Sequence, residues 1–107
     1  MATSSPPART ALDEARAAAD RGHLAHALEL AERMRSGGDA RIDLLELLGT
    51  IHMALGNDAR AEEVLRQAVY LDPANAEALI QLGVLAERRG DAAMSARYRA
   101  RAAGGRA

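Results

Sequence analysis

The chain has 107 residues, 49% hydrophobic and 2% aromatic, with a formal net charge of −1. That suits one small domain with a core of Leu, Ile, Val, Met and Ala, and gives no global field drawing it to nucleic acid or a membrane surface. The absence of Cys excludes disulfides, thiolate nucleophiles and cysteine metal sites, and no run approaches the ~18 apolar residues of a membrane span.

The opening Met1-Ala-Thr-Ser-Ser-Pro-Pro-Ala-Arg9 has no apolar signal core. The expectation is a soluble, cytoplasmic protein with residues 1–8 as a flexible lead or linker and 9–107 as the folded domain. From there the pattern predicts six helices in chain order, at about 9–21, 23–35, 41–55, 58–71, 75–89 and 91–103. The first is Ala-rich and carries Glu14 on its nominal packing side. The second begins with His23 and His26 and ends at Ser36-Gly37-Gly38-Asp39, which reads as the loosest joint in the chain. The third shows one wide apolar face of Leu44, Leu45, Leu48, Ile51, His52 and Leu55. The fourth repeats such a face with Ala61, Val64, Leu65, Ala68 and Leu71, and runs into Asp72-Pro73. Pro73 cannot continue that helix and can begin the next. The fifth carries Leu79, Leu82, Leu85 and Ala86. The sixth carries Arg97, Arg99 and Arg101.

Gly22, Gly56 and Gly90 end three of these helices and are spaced 34 residues apart. A fixed period of that size is the signature of stacked helical hairpins, and a glycine there can take the left-handed conformation that closes a helix. Ala27, Ala61 and Ser95 follow the glycines by five residues each, leaving room for the second helix of a hairpin to approach the first. Leu48-Gly49 and Leu82-Gly83 are also 34 apart. A glycine inside a helix costs ~1 kcal/mol against Ala, so close helix–helix contact is expected at both.

Together these residues resemble the tetratricopeptide repeat. The resemblance is fullest in unit 42–75, through Leu45, Leu48-Gly49, Gly56-Asn57, Ala61, Ala68 and Asp72-Pro73. Unit 76–107 follows through Leu79, Leu82-Gly83, Gly90-Asp91 and Ala102. Unit 8–41 is weakest, with Glu14 where a Leu is usual. The resemblance implies an all-α fold of three tandem helix–turn–helix hairpins forming a short right-handed superhelix, an α-solenoid. A narrower resemblance rests on Ala68-Val-Tyr-Leu-Asp-Pro73, Glu77-Ala-Leu-Ile-Gln-Leu82, Glu87-Arg-Arg-Gly-Asp91 and the Arg-rich last helix. It is similar to the C-terminal repeat module of CheR-type chemotaxis methyltransferases. There an S-adenosylmethionine-dependent domain, absent from this chain, methylates receptor glutamates, and the repeats are expected to steer or gate it.

In such a solenoid the first helices line a concave groove. The resemblance places Arg9, Leu12, Arg16, Asp43, Glu46, Thr50, Met53, Glu77, Ile80, Val84 and Glu87 in it. One end would be basic and the rest acidic, with apolar side chains between, a surface fit for an amphipathic or basic helix. The expected partner is a protein: a receptor cytoplasmic segment, the attached methyltransferase domain or a partner helix. The alternative is a free-standing adaptor or small secretion chaperone. The Lys/Asn clamp by which some relatives hold acidic chaperone tails is not formed by Leu12, Arg16, Glu46 and Thr50. No catalytic residue, cofactor or metal site is expected. His23 and His26 lack the third ligand that zinc wants, and His52 falls on a buried face as a structural residue. No nucleophile–base arrangement has supporting context. The arginines of the last helix, with only Tyr98 among them, read as the polar outer face of a terminal repeat rather than a nucleic-acid patch.

Overall fold

The computed structural model describes residues 8–104, with side chains from residue 11 onward. It contains six helices: α1 (Ala8–Asp20), α2 (Leu24–Ser36), α3 (Ile42–Ala54), α4 (Asp58–Leu71), α5 (Ala76–Arg88) and α6 (Ala92–Gly104). Among the described residues there is no strand. Residues 1–7 of the expected lead lie outside those described, and Ala8 already belongs to α1.

The helices pair as α1–α2, α3–α4 and α5–α6, and each pair turns at one of the periodic glycines. Gly22, Gly56 and Gly90 have φ of +81°, +80° and +83°, a region an L side chain rarely enters. The same two hydrogen bonds close all three turns. The glycine N–H donates three residues back (Gly22 to Ala19, Gly56 to Met53, Gly90 to Glu87). The next N–H donates five residues back (His23 to Ala18, Asn57 to His52, Asp91 to Ala86). This is the pattern that satisfies the orphan carbonyls of a helix end.

The joint read as loosest is tied down. Gly38 takes φ +98°, Asp39 N–H donates to the Met34 carbonyl, and the Asp39 carboxylate accepts from the Arg41 backbone N–H at 3.0 Å. Pro73 does not start α5. It sits in the turn, and Asn75 is the cap residue, its side-chain oxygen accepting from Ala78 N–H at 2.9 Å.

Leu44, Leu45, Leu48, Ile51, Ala61, Leu65, Ala68, Leu79 and Leu82 form a buried core at 0–1% exposure, as the periodicity predicts. Leu55 and Leu71 are exposed instead, Leu55 as the cap residue after α3 and Leu71 as the last residue of α4. Glu14 is exposed as well, and α1 packs through Leu12, Ala15 and Ala18. The expected close contact at Gly49 is present: a Cβ there would stand 2.6 Å from Leu65 Cδ2. At the matching Gly83 it would meet Arg99 Cγ at 3.4 Å and the Ser95 carbonyl oxygen at 3.5 Å, both ordinary contacts. His52 is buried in the hairpin, with Asn57 Nδ2 3.4 Å from its Nδ1 and Glu32 Oε2 3.4 Å from its Nε2.

The first helices of successive hairpins touch directly, α1 on α3 and α3 on α5. No Cα of α2 comes within 8 Å of α4, nor any of α4 within 8 Å of α6. Close approach on one side and separation on the other bend the stack, so α1, α3 and α5 form the inner row and α2, α4 and α6 the outer row of an α-solenoid.

Candidate functional site

Three helices meet on the inner row, and two depressions lie along it. The larger, about 270 Å³, is lined by Arg16 and Asp20 from α1, Glu46, Leu47 and Thr50 from α3, and Glu77 and Gln81 from α5. The smaller, about 170 Å³, is lined by Leu12, Asp13, Arg16, Arg41 and Asp43. Leu12 and Leu47 are buried and form apolar floors, so Leu12 belongs more to the core than to the groove surface where the sequence placed it.

Glu46 is the centre of the larger depression. Asn75 Nδ2 donates to Glu46 Oε2 at 2.7 Å while the Asn75 oxygen caps α5, so the carboxylate ties the second hairpin to the start of the third. Burial raises the Glu46 pKa above its ordinary value. The hydrogen bond from Asn75 opposes the rise, Asp43 and Glu77 add to it by repulsion, and Arg16 opposes it. One turn further along α3, Thr50 Oγ1 donates to the Glu46 carbonyl at 3.1 Å and accepts from Gln81 Nε2 at 2.9 Å. The Gln81 Oε1 is buried without a hydrogen-bond partner.

The structure therefore brings together Arg16, Glu46, Thr50 and Glu77, with Leu12 and Asp43 beside them. The side chain of Arg9 lies outside those described. Met53, Ile80, Val84 and Glu87 line neither depression. Met53 and Val84 are half-buried, Ile80 is exposed, and Glu87 is engaged by Arg99 at 3.1 Å. Sequence reading missed Asp20, Leu47, Asn75 and Gln81. Asp20 and Gln81 each follow a predicted groove residue, Arg16 or Glu77, by one helical turn, and that spacing is the signal that could have found them. Among the described residues no three His, Cys, Asp or Glu are grouped to hold a metal.

Residues 42–75 match the family model described as tetratricopeptide repeat, and the hairpins before and after repeat its turns. The central hairpin is a tetratricopeptide repeat. This repeat protein is 34% identical over 93 residues to the probable biofilm formation methyltransferase WspC of Pseudomonas aeruginosa. The match takes in 87% of the chain but only 22% of the relative, so the chain spans about a fifth of WspC. The repeats superpose on the crystal structure of MamA with a TM-score of 0.86 at 17% identity, covering 92% of this chain and 58% of that one. They also superpose on the second repeat domain of Spaghetti (RPAP3), solved with the HSP90 peptide SRMEEVD. There the TM-score is 0.80 at 19% identity, with coverage of 89% and 88%. No helix among the described residues is long and apolar enough to cross a membrane.

Proposed function

We propose that the inner groove docks a basic or amphipathic segment of a partner protein. On this reading the chain is the C-terminal interaction module of a CheR-type chemotaxis methyltransferase, targeting or gating its action on receptors. The observation that carries the docking site is the convergence of Asp20, Glu46 and Glu77 around an apolar floor where α1, α3 and α5 meet, with Ile80 exposed one turn beyond Glu77. Carboxylates held there attract and orient cationic side chains, and the apolar surface supplies most of the affinity, because an exposed ion pair contributes only ~0–1 kcal/mol. The same carboxylates repel an acidic tail such as the HSP90 peptide of the RPAP3 structure, so a partner of the opposite charge is favoured. The methyltransferase context is supported by the likeness to WspC.

The test is titration of receptor cytoplasmic segments, and of a separately expressed CheR-type catalytic domain, against wild type, Ile80→Asp and Glu77→Arg. Both variants are expected to weaken binding, Ile80→Asp the more, with added salt slowing association more than it speeds dissociation. Equal binding by wild type and by an Ile80→Asp, Glu77→Arg double variant would remove the groove as the site.

A further inference from the structure

Another opening lies away from that groove. It is a cleft of about 530 Å³ on the outer row, between α4 and α6, within the range that ligand sites occupy. Leu82 and Tyr98 are its buried floor, Val69 and Pro73 line one wall, and Tyr70, 85% exposed, stands at its lip. Arg66 from α4 and Arg101 from α6 both line it. Neither has an ion pair or side-chain hydrogen bond among the described residues, although Arg16, Arg33, Arg60, Arg88, Arg89 and Arg99 each have a carboxylate partner.

The repeat supplies its own control. A second outer cleft lies between α2 and α4, one period earlier, and its lining residues Glu32, Arg35, Val64 and Gln67 correspond at 34 positions to Arg66, Val69, Tyr98 and Arg101. That earlier cleft is bridged by the chain itself. Arg35 donates to Gln67 Oε1 at 2.6 Å, and Arg60 reaches Glu32 at 3.6 Å. In the later cleft the acid of that network is replaced by Arg66 and the bridging amide by Arg101, while Val64 becomes Tyr98. Two cations left without a counter-charge flank an apolar, aromatic-lined opening where the sister cleft has a closed polar network.

We infer that the cleft between α4 and α6 is a second docking site, for an acidic protein segment that sets an aliphatic side chain against Tyr98, Val69 and Leu82 and places carboxylates on Arg66 and Arg101. A guanidinium matches a carboxylate in two parallel hydrogen bonds, which gives such a segment a defined register. A polyanion such as single-stranded nucleic acid fits less well: the cleft offers two cations and one exposed ring, and the chain is net negative. This site is independent of the inner-groove reading and can fail or hold without it.

The experiment uses the full chain and a dye-labelled synthetic peptide of Asp, Glu and Leu, with a charge-reversed Lys/Leu copy and a labelled oligothymidylate as separate arms. The acidic peptide is expected to bind, to shift the backbone resonances of residues around Tyr70 and Tyr98, and to lose at least tenfold in affinity with Arg66→Glu, Arg101→Glu together. Tyr70→Ser should weaken it severalfold. Arg97→Glu, which removes an unpaired cation of α6 outside the cleft, should leave binding within twofold. The inference is overturned if the acidic peptide does not bind, if Arg97→Glu weakens it as much as the cleft pair, if the shifts fall on α1, α3 and α5, or if oligothymidylate binds more tightly at the same cleft.

Discussion

Gly49 and Gly83 occupy the same position of the repeat yet face different neighbours, and their substitutions should differ in sign. At Gly49 an added methyl would stand 2.6 Å from Leu65 Cδ2 and 2.7 Å from its Cγ, and Leu65 is fully buried with nowhere to swing. Gly49→Ala should destabilise by about 1–3 kcal/mol of overpacking, less up to about 1 kcal/mol of helix propensity. At Gly83 the nearest atom is Arg99 Cγ at 3.4 Å, on a flexible exposed side chain, so Gly83→Ala should stabilise by about 0.5–1 kcal/mol. Denaturant unfolding measures both, and equal shifts would show that Leu65 yields. The sequence displayed both glycines and the need for close contact, but the difference between a buried Leu and a capping Arg emerges only when the facing helix is in place. Glu46 gives a second residue-scale expectation. A carboxyl whose folded pKa lies above its unfolded value of 4.5 stabilises the fold below that value and loses the contribution as pH rises through the folded one. Ionised Glu46 therefore works against folding at neutral pH. Glu46→Gln keeps an acceptor for Asn75 and removes the charge, so it should be at least as stable as wild type near pH 7. The gap should close as pH falls below 4.5, where Glu46 is protonated in the folded and the unfolded chain alike. A gap that widens on acidification would contradict the direction of the shift. Asp39 has the opposite sign: its hydrogen bonds from Arg41 lower its pKa, and its contribution, present above 3.8, is lost as pH falls through the folded value.

Among the first helices of the three hairpins, α1 is the weakest. It buries one large side chain, Leu12, with Ala15 and Ala18, whereas α3 buries Leu44, Leu45, Leu47, Leu48 and Ile51. Stability from apolar burial scales with area, at roughly 25 cal/mol per Å², so α1 should open before the other two. Amide exchange is expected to be faster across residues 10–20 than across 44–54, and equal protection would mean that something besides its own apolar face holds α1. Helix number, type and turns were legible because each hairpin repeats a Gly turn and an apolar face in register, and the predicted ends differ from the observed ones by at most one residue. Glu14 was read as sitting on a packing side because the family pattern puts an apolar residue there. In the structure that side of α1 meets solvent, a fact about neighbours that no single helix reports. The start of α5 was read at residue 75, one residue from the observed Ala76, but what fixes it was not legible. Pro73 is a strong local signal, but the hydrogen bond from Asn75 to Glu46, which fixes the cap, joins residues 29 apart in sequence.

At the scale of the molecule, the stack presents two faces of different chemistry, an acidic inner row and an outer row interrupted by an arginine-flanked cleft. The inner face was legible in outline, since helical phase and the family resemblance select Arg16, Glu46, Thr50 and Glu77. The outer cleft was not, since its two arginines lie 35 residues apart and become neighbours only through the spacing of α4 from α6. The three turns also have a consequence for how such a chain can change. Gly56 and Gly90 hold the same backbone angle to within 3° and close on the same pair of hydrogen bonds. Gene recombination that joined the codon of Gly56 to that of Asp91 would delete one period of 34 residues and hand α3 directly to α6 through an intact turn. The glycines are thus natural points of crossover, where copies of the hairpin can be lost or duplicated in frame without inventing a new loop, and length becomes a trait that can vary by whole repeats.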